Sequence, residues 1–199
     1  MTFPDDLDDN ALVGRIAERD QPAFQALFDR RVGDVFKLSY SLVTDHQIAE
    51  DVTQETFVRL WQNAPTWRPE ATIKTWLLTV ARNLCLDQIR KRNNDLEKHK
   101  NMHLQSVVET APTAFLHSEQ SIDRKRKQAS VRDALFALPD RQREAIMLVY
   151  FMELQNTEAA KVVGLKGPAF DSLLARARRT LRERLTEDDE LKGYFDGTE

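Results

Sequence analysis

Apolar residues recur every three or four positions along most of this chain, which is the spacing of one helix face. Asp8 to Arg19 reads as a first helix, with Leu12 and Ile16 inward and Ala11 and Val13 beside them. Asp20-Gln21-Pro22 breaks and recaps it, because proline is tolerated in a first helical turn. A long helix over Ala23 to Val43 carries Phe24, Leu27, Phe28, Val32, Val35, Phe36, Leu38, Tyr40 and Leu42. Thr44-Asp45 caps a third, from about His46 to Asn63. Pro65 to Glu70 is a loop whose Trp67 is expected to fold back on the core. A fourth helix runs from about Ala71 to Asn93, with Ile73, Leu77, Val80, Ala81, Leu84, Cys85 and Ile89 as its buried arc.

Periodicity then lapses. Asn93 to about Ser121 contains Asn93-Asn94, Pro112 and mixed polar residues, and reads as a linker with a helical piece over residues 96–108. Ser121 to Ala137 is helical again, and Leu138-Pro139-Asp140 ends that helix and caps the next. From Leu138 to Leu185 the pattern gives two helices, a short turn and a third helix. Gly164 closes the second, since glycine accepts positive φ, and Gly167-Pro168 restarts the chain. On the last helix Phe170, Leu174, Ala177, Leu181 and Leu185 form one stripe. Ser172, Arg176, Arg179 and Glu183 lie opposite, with Arg178 and Arg182 flanking the stripe. This is the layout of a helix-turn-helix, whose last helix enters a DNA major groove. The predicted fold is all-α: two helical domains joined by a flexible linker.

Charge sharpens that picture more than composition does. The 199 residues carry a formal charge of −3, which by itself argues against nucleic acid. The charge is segregated, however. Between Arg176 and Arg184 five arginines stand against one glutamate. Ile73 to Arg92 holds five basic residues (Lys74, Arg82, Arg90, Lys91, Arg92) and one acid, Asp87. Residues 1–20 and 187–199 are acidic. Basic helices between acidic ends fit a DNA binder of restrained affinity, and equally an ordinary soluble protein.

Two faces in the first half carry candidate chemistry. On the third helix Val52, Thr56, Phe57 and Leu60 share one arc, and Asp51, Gln54, Glu55 and Val58 share the other. An acid-and-amide patch around an exposed valine suits docking to a basic partner, and also reads as a solvated helix face. On the fourth helix Trp76, Thr79, Asn83 and Arg90 converge opposite the buried arc, with Arg82, Lys91 and Arg92 near by. A ring that stacks, an amide for base edges and cations for phosphate suit unpaired bases. A half-buried tryptophan among ordinary surface charges is the plainer reading.

Several classes are set aside. A share of 41% hydrophobic residues is enough for packed cores, and no apolar run of 18 residues is long enough to span a membrane. The N-terminus has no secretion-signal pattern, so the expected location is the cytoplasm. One cysteine, Cys85, forms no internal disulfide and no cysteine zinc site. His99 and His103, four apart, lack a nearby third metal ligand. There is no glycine-rich phosphate loop and no nucleophile–base cluster, so no cofactor, small-molecule substrate or enzymatic activity is expected.

Three stretches together resemble the extracytoplasmic-function (ECF) sigma factors, the minimal bacterial sigma subunits. AEDVTQETFVRLWQN, residues 49–63, resembles that family's core-polymerase-binding segment. TWLLTVARNLCLDQIRKR, residues 75–92, resembles its minus-ten recognition helix. The stretch from Leu138 to Leu185 resembles its fourth-region module, which reads the minus-35 element. Their order and spacing also match, which makes the likeness specific where one helix-turn-helix would be weak. The resemblance implies region 2 over residues 10–94, a linker over 95–125, region 4 over 126–185 and an acidic tail over 186–199.

It also implies roles. Asp51, Gln54, Glu55 and Val58 lie against the coiled coil of the largest polymerase subunit. Trp76, Thr79, Arg82, Asn83, Arg90 and Lys91 hold the melted minus-ten strand, with the loop over residues 65–74 taking a flipped base. Lys166, Asp171, Ser172, Arg176, Arg178 and Arg179 meet minus-35 DNA. The partners implied are core RNA polymerase, promoter DNA and an anti-sigma factor, often membrane-anchored. Two other functions are weighed beside transcription initiation: a decoy that sequesters an anti-sigma factor, and a free-standing helix-turn-helix repressor. One departure stands out. Many members begin the recognition helix with an early cation, where this chain has Asp171. Phosphate repels a carboxylate, whereas a cytosine amino group can donate to one.

Overall fold

The computed structural model of the chain describes residues 7–68, 71–99 and 122–186. Its described residues are helical with connecting turns, and they divide into two units. The first holds α1 (Asp9–Ala17), α2 (Gln21–Val43), α3 (His46–Asn63) and α4 (Ile73–His99). The second holds α5 (Ile122–Phe136), α6 (Asp140–Ile146), α7 (Asn156–Val163) and α8 (Gly167–Thr186). Residues 69–70 of the expected loop, the linker over 100–121 and the acidic tail from residue 187 lie outside the described residues, as do His103 and the imidazole of His99.

Short polar side chains start the helices of the first unit. Asp8 accepts from the Ala11 N–H at 2.7 Å, Asp20 from Ala23 at 3.1 Å and Asp45 from Ile48 at 3.0 Å. The Thr72 hydroxyl accepts from Thr75 N–H at 3.2 Å at the start of α4. Each satisfies a first-turn donor that the helix itself leaves unpaired. Leu12, Ile16, Leu27, Leu38, Leu60, Leu77 and Leu78 make the fully buried centre of the unit. Phe24, Phe28, Phe57 and Trp61 form an aromatic group beside it, with centroids 4.7–6.3 Å apart in four pairs, three of them edge-to-face and Phe24–Phe28 tilted. Arg19 lies over the Trp61 ring at 5.3 Å and donates to its carbonyl at 2.8 Å. Asp9 takes Arg30 and Arg31, and Asp34 takes Arg31 and Lys74, which ties α1, α2 and α4 together at the surface.

Three expectations shift. Ala11 is exposed, because the inward positions of α1 are Leu12, Val13 and Ile16. Helix α4 begins two residues later than expected and continues to His99, absorbing the start of the expected linker. Its buried arc is also rotated: Leu78 is fully buried, whereas Val80, Leu84 and Ile89 are half-buried.

In the second unit, α6 runs on into a π-helical turn, Met147–Phe151. The Met152 N–H bonds the Met147 carbonyl at 2.9 Å. The wider turn keeps Met147, Leu148 and Met152 inside and leaves Tyr150 and Phe151 on the surface. Arg143, buried, fastens α6 to the end of α5. It donates to the Phe136 and Leu138 carbonyls at 3.0 and 3.1 Å and to Asp140 at 2.7 Å. Gly164 ends α7 at φ 71°, the left-handed conformation that glycine adopts without strain. On α8, Phe170, Leu174, Ala177 and Leu185 are buried with Leu173, and Leu181 is half-buried.

Two outcomes test this account of the core. Phe170→Ala empties the centre of the second unit and costs about 3–5 kcal/mol, seen as a lower unfolding midpoint in urea by circular dichroism. The second concerns Asp20, whose carboxyl is held below its ordinary value of 3.8 chiefly by the Ala23 N–H; burial opposes this, and Arg15 adds to the lowering. A carboxylate lowered on folding stabilises above its unfolded value and loses that contribution as pH falls through the folded one. The stability gap between the native chain and Asp20→Ala therefore holds at pH 5–7 and narrows below about pH 4. Urea unfolding followed by tryptophan fluorescence at stepped pH measures it.

Candidate nucleic-acid and partner surfaces

Helix α3 spends one face on packing. Val52, Thr56, Phe57 and Leu60 are buried on it, and the Thr53 and Thr56 hydroxyls donate to the Ala49 and Val52 carbonyls at 2.7 Å. Asp51, Gln54, Glu55 and Val58 are all exposed on the opposite face. Val58 is 47% exposed, one of three large apolar side chains so placed among the described residues. The Glu55 carboxylate is 2.8 Å from Arg59 Nε, a solvent-exposed pair that contributes little stability and leaves the carboxylate accessible. The arrangement is an exposed acid-and-amide patch that includes one apolar side chain.

Helix α4 presents Trp76 and Thr79 half-buried and Asn83, Arg90 and Lys91 exposed. The Thr79 hydroxyl donates to the Thr75 carbonyl at 2.7 Å, so its proton is spent within the helix. Arg90 meets Asp87 at 3.1 Å with both side chains largely in water. Arg82 departs from the expectation. It was expected among the outward cations of this face and is instead 8% exposed. The rotated arc explains the difference: positions 78, 81, 82 and 85 follow one another on the inward side. Its side chain is packed on that inward side, away from the exposed cations Arg90 and Lys91.

Lys166 lies just ahead of α8, which then carries Asp171, Ser172, Arg176, Arg178 and Arg179, all exposed. The Ser172 hydroxyl donates to the Pro168 carbonyl at 2.9 Å, and Arg176 Nε to the Ser172 carbonyl at 3.2 Å. The Arg178 guanidinium lies over the Tyr150 ring at 5.8 Å, steered there by the π turn that exposes Tyr150. Asp171 accepts from the Asn156 amide at 2.8 Å across the α7–α8 turn. Neither Tyr150 nor Asn156 stood out in the sequence. Both meet their partners through a turn geometry that linear spacing does not encode.

These surfaces sit on a chain with clear relatives. Residues 27–94 match Sigma-70 region 2, and residues 128–181 match Sigma-70, region 4. The chain is 29% identical over 160 residues to the ECF RNA polymerase sigma factor SigM of Bacillus subtilis (strain 168), covering 78% of this chain and 91% of that protein. It is 31% identical over 179 residues to the ECF RNA polymerase sigma factor BldN of Streptomyces coelicolor (strain ATCC BAA-471 / A3(2) / M145), covering 89% of this chain and 66% of that protein. Its fold is similar to that of the sigma factor RpoE of Bartonella quintana, solved in complex with the anti-sigma factor NepR. That likeness has a TM-score of 0.66 at 26% identity, and covers 82% of this chain and 96% of RpoE. Two all-helical units matching region 2 and then region 4 define the class, a sigma-70-type transcription initiation subunit. Within that class, the chain belongs to the ECF RNA polymerase sigma factors.

The placement of Arg82 separates two kinds of basic residue on α4. Arg82→Ala removes a buried side chain from the packing of the first unit and lowers its stability by roughly 1–3 kcal/mol. Arg90→Ala and Lys91→Ala stay within about 0.5 kcal/mol of the native chain. Urea unfolding read by tryptophan fluorescence distinguishes them.

Proposed function

We propose that this chain captures core RNA polymerase through the outward face of α3 and directs it to promoters read by α4 and α8. The single observation that carries the reading is the α3 face, where Val58 stands 47% exposed among Asp51, Gln54 and Glu55. An apolar side chain ringed by acids and amides gives a docking site both area and charge steering. On α4, Trp76 offers a partly open ring and Asn83 an amide, with Arg90 and Lys91 supplying charge. That set suits stacking, base-edge and phosphate contacts with an unpaired strand. On α8, Arg176, Arg178 and Arg179 supply cations to duplex DNA, and the side chains early in the helix reach base edges. The protein makes and breaks no bond in this mechanism. Its work is to bring polymerase and promoter together and to hold the melted strand. The likeness to an anti-sigma-bound sigma factor further supports control by a protein that covers these surfaces.

Run-off transcription with purified core polymerase and this chain tests the proposal. Transcripts that start at discrete promoters are the expected result. Capture of polymerase without promoter-dependent initiation, or capture of an anti-sigma protein alone, points instead to a decoy. Val58→Asp weakens binding to core polymerase by about 1 kcal/mol or more while folding is unchanged, measured by competition for core against the native chain. Arg176→Ala and Arg179→Ala weaken promoter binding by roughly 1–3 kcal/mol where a base contact is lost. Where only a phosphate contact is lost, the salt slope of binding falls by about 1.

A further inference from the structure

Asp171 is an anion in the first turns of a helix proposed to meet DNA, and its surroundings do not neutralise it. Among the described residues its bonding partner is the Asn156 amide, at 2.8 Å, and it makes no ion pair. A carboxylate beside phosphate is repelled, so an unneutralised one on this face weakens binding unless a donor on the DNA meets it. The amino groups of cytosine (N4) and adenine (N6) are such donors in the major groove, and an acidic side chain pairs with the cytosine amino group. Adenine also presents its N7 acceptor next to the amino group, which a carboxylate cannot satisfy. Asn156 fixes how the carboxylate stands. Because a carboxylate only accepts, the amide must turn its NH2 toward Asp171. The bond takes up one carboxylate oxygen and restricts the Asp171 rotamer before DNA arrives, which lowers the ordering cost of the contact. The second oxygen stays available on an exposed surface.

We propose that Asp171 selects a cytosine in the upstream promoter element and that Asn156, fifteen residues earlier and across the α7–α8 turn, is its positioning residue. This rests on the reading of α8 as a promoter-reading helix. It adds which base is chosen there and what holds the reader in place. With a carboxylate at this position the helix gives up phosphate attraction for discrimination between bases.

The experiment uses the full chain bound to core polymerase and a duplex pool randomised over both promoter elements. Bound duplexes are sequenced for the native chain, Asp171→Ala, Asp171→Asn and Asn156→Ala, and each variant's thermal unfolding is checked alongside. The native holoenzyme is expected to favour cytosine at one upstream position by roughly 5- to 150-fold over other bases. Asp171→Ala flattens that position alone. Asp171→Asn moves its preference toward adenine, which an amide reads through N6 and N7. Asn156→Ala weakens the cytosine preference without moving it, at unchanged melting temperature. Two results overturn the proposal: an Asp171-independent profile, or a uniform gain in affinity for all duplexes on Asp171→Ala, the mark of a carboxylate that only repels phosphate. A native holoenzyme with no sequence preference in either element is a different failure, because it removes the promoter-reading function as well.

Discussion

The seal along the inner stripe of α8 is what the second unit depends on. Phe170, Leu174, Ala177 and Leu185 are buried, and Leu173 with them. A helix has only one way to keep those positions from water. Once they are fixed, the opposite side of α8 must face outward, and five of the exposed residues from Arg176 to Arg184 are arginines. The cationic surface is therefore a consequence of packing. Burying a guanidinium without partners costs several kcal/mol, so the arginines cannot exchange places with the leucines. The position of α8 follows from its neighbours. Gly164 turns the chain at φ 71°, and Arg143 pins the start of α6 to two carbonyls at the end of α5.

The first unit obeys the same constraint with a different outcome on each helix. On α3 the packed arc takes Val52, Phe57 and Leu60, and the remaining arc is left acidic and amide-bearing with Val58 at its centre. On α4 the buried arc is wider and takes in a cation. Arg82 is drawn inward with Leu78 and Ala81, and Asn83, Arg90 and Lys91 are among the polar residues left exposed. One helix face thus offers anionic and apolar contact, and the other aromatic, amide and cationic contact. That division suits a protein that touches both a polymerase subunit and nucleic acid.

The sequence made much of this legible, for definite reasons. Asp20-Gln21-Pro22 and Thr44-Asp45 marked helix starts, and the Asp20 and Asp45 carboxylates do accept from first-turn amides there, as Asp8 does ahead of α1. Strong three-and-four spacing placed Val52, Thr56, Phe57 and Leu60 of α3 and Phe170, Leu174, Ala177 and Leu185 of α8 correctly, but it counted Leu181, which is half-buried, and missed Leu173, which is buried. Spacing failed on α4, where apolar residues occupy nearly every direction around the helix between Ile73 and Ile89, so the pattern fixed the helix without fixing its rotation. Arg82 was misplaced for that reason. The π turn at Met147–Phe151 was invisible because an unbroken apolar run, MLVYF, reads the same at either helical pitch. The Asn156–Asp171 and Arg178–Tyr150 contacts were invisible because each depends on how neighbouring helices meet.

Site-specific photo-crosslinking tests most directly whether the two units divide the work between polymerase and DNA. A crosslinkable side chain is placed at position 58 on α3 or at position 175 on α8, and each chain is assembled with core polymerase on a promoter fragment. The account predicts that position 58 joins the largest polymerase subunit and that position 175 joins duplex DNA upstream of the start site. Crosslinks from position 58 to DNA alone, or none from position 175 to DNA in a transcribing complex, would contradict it.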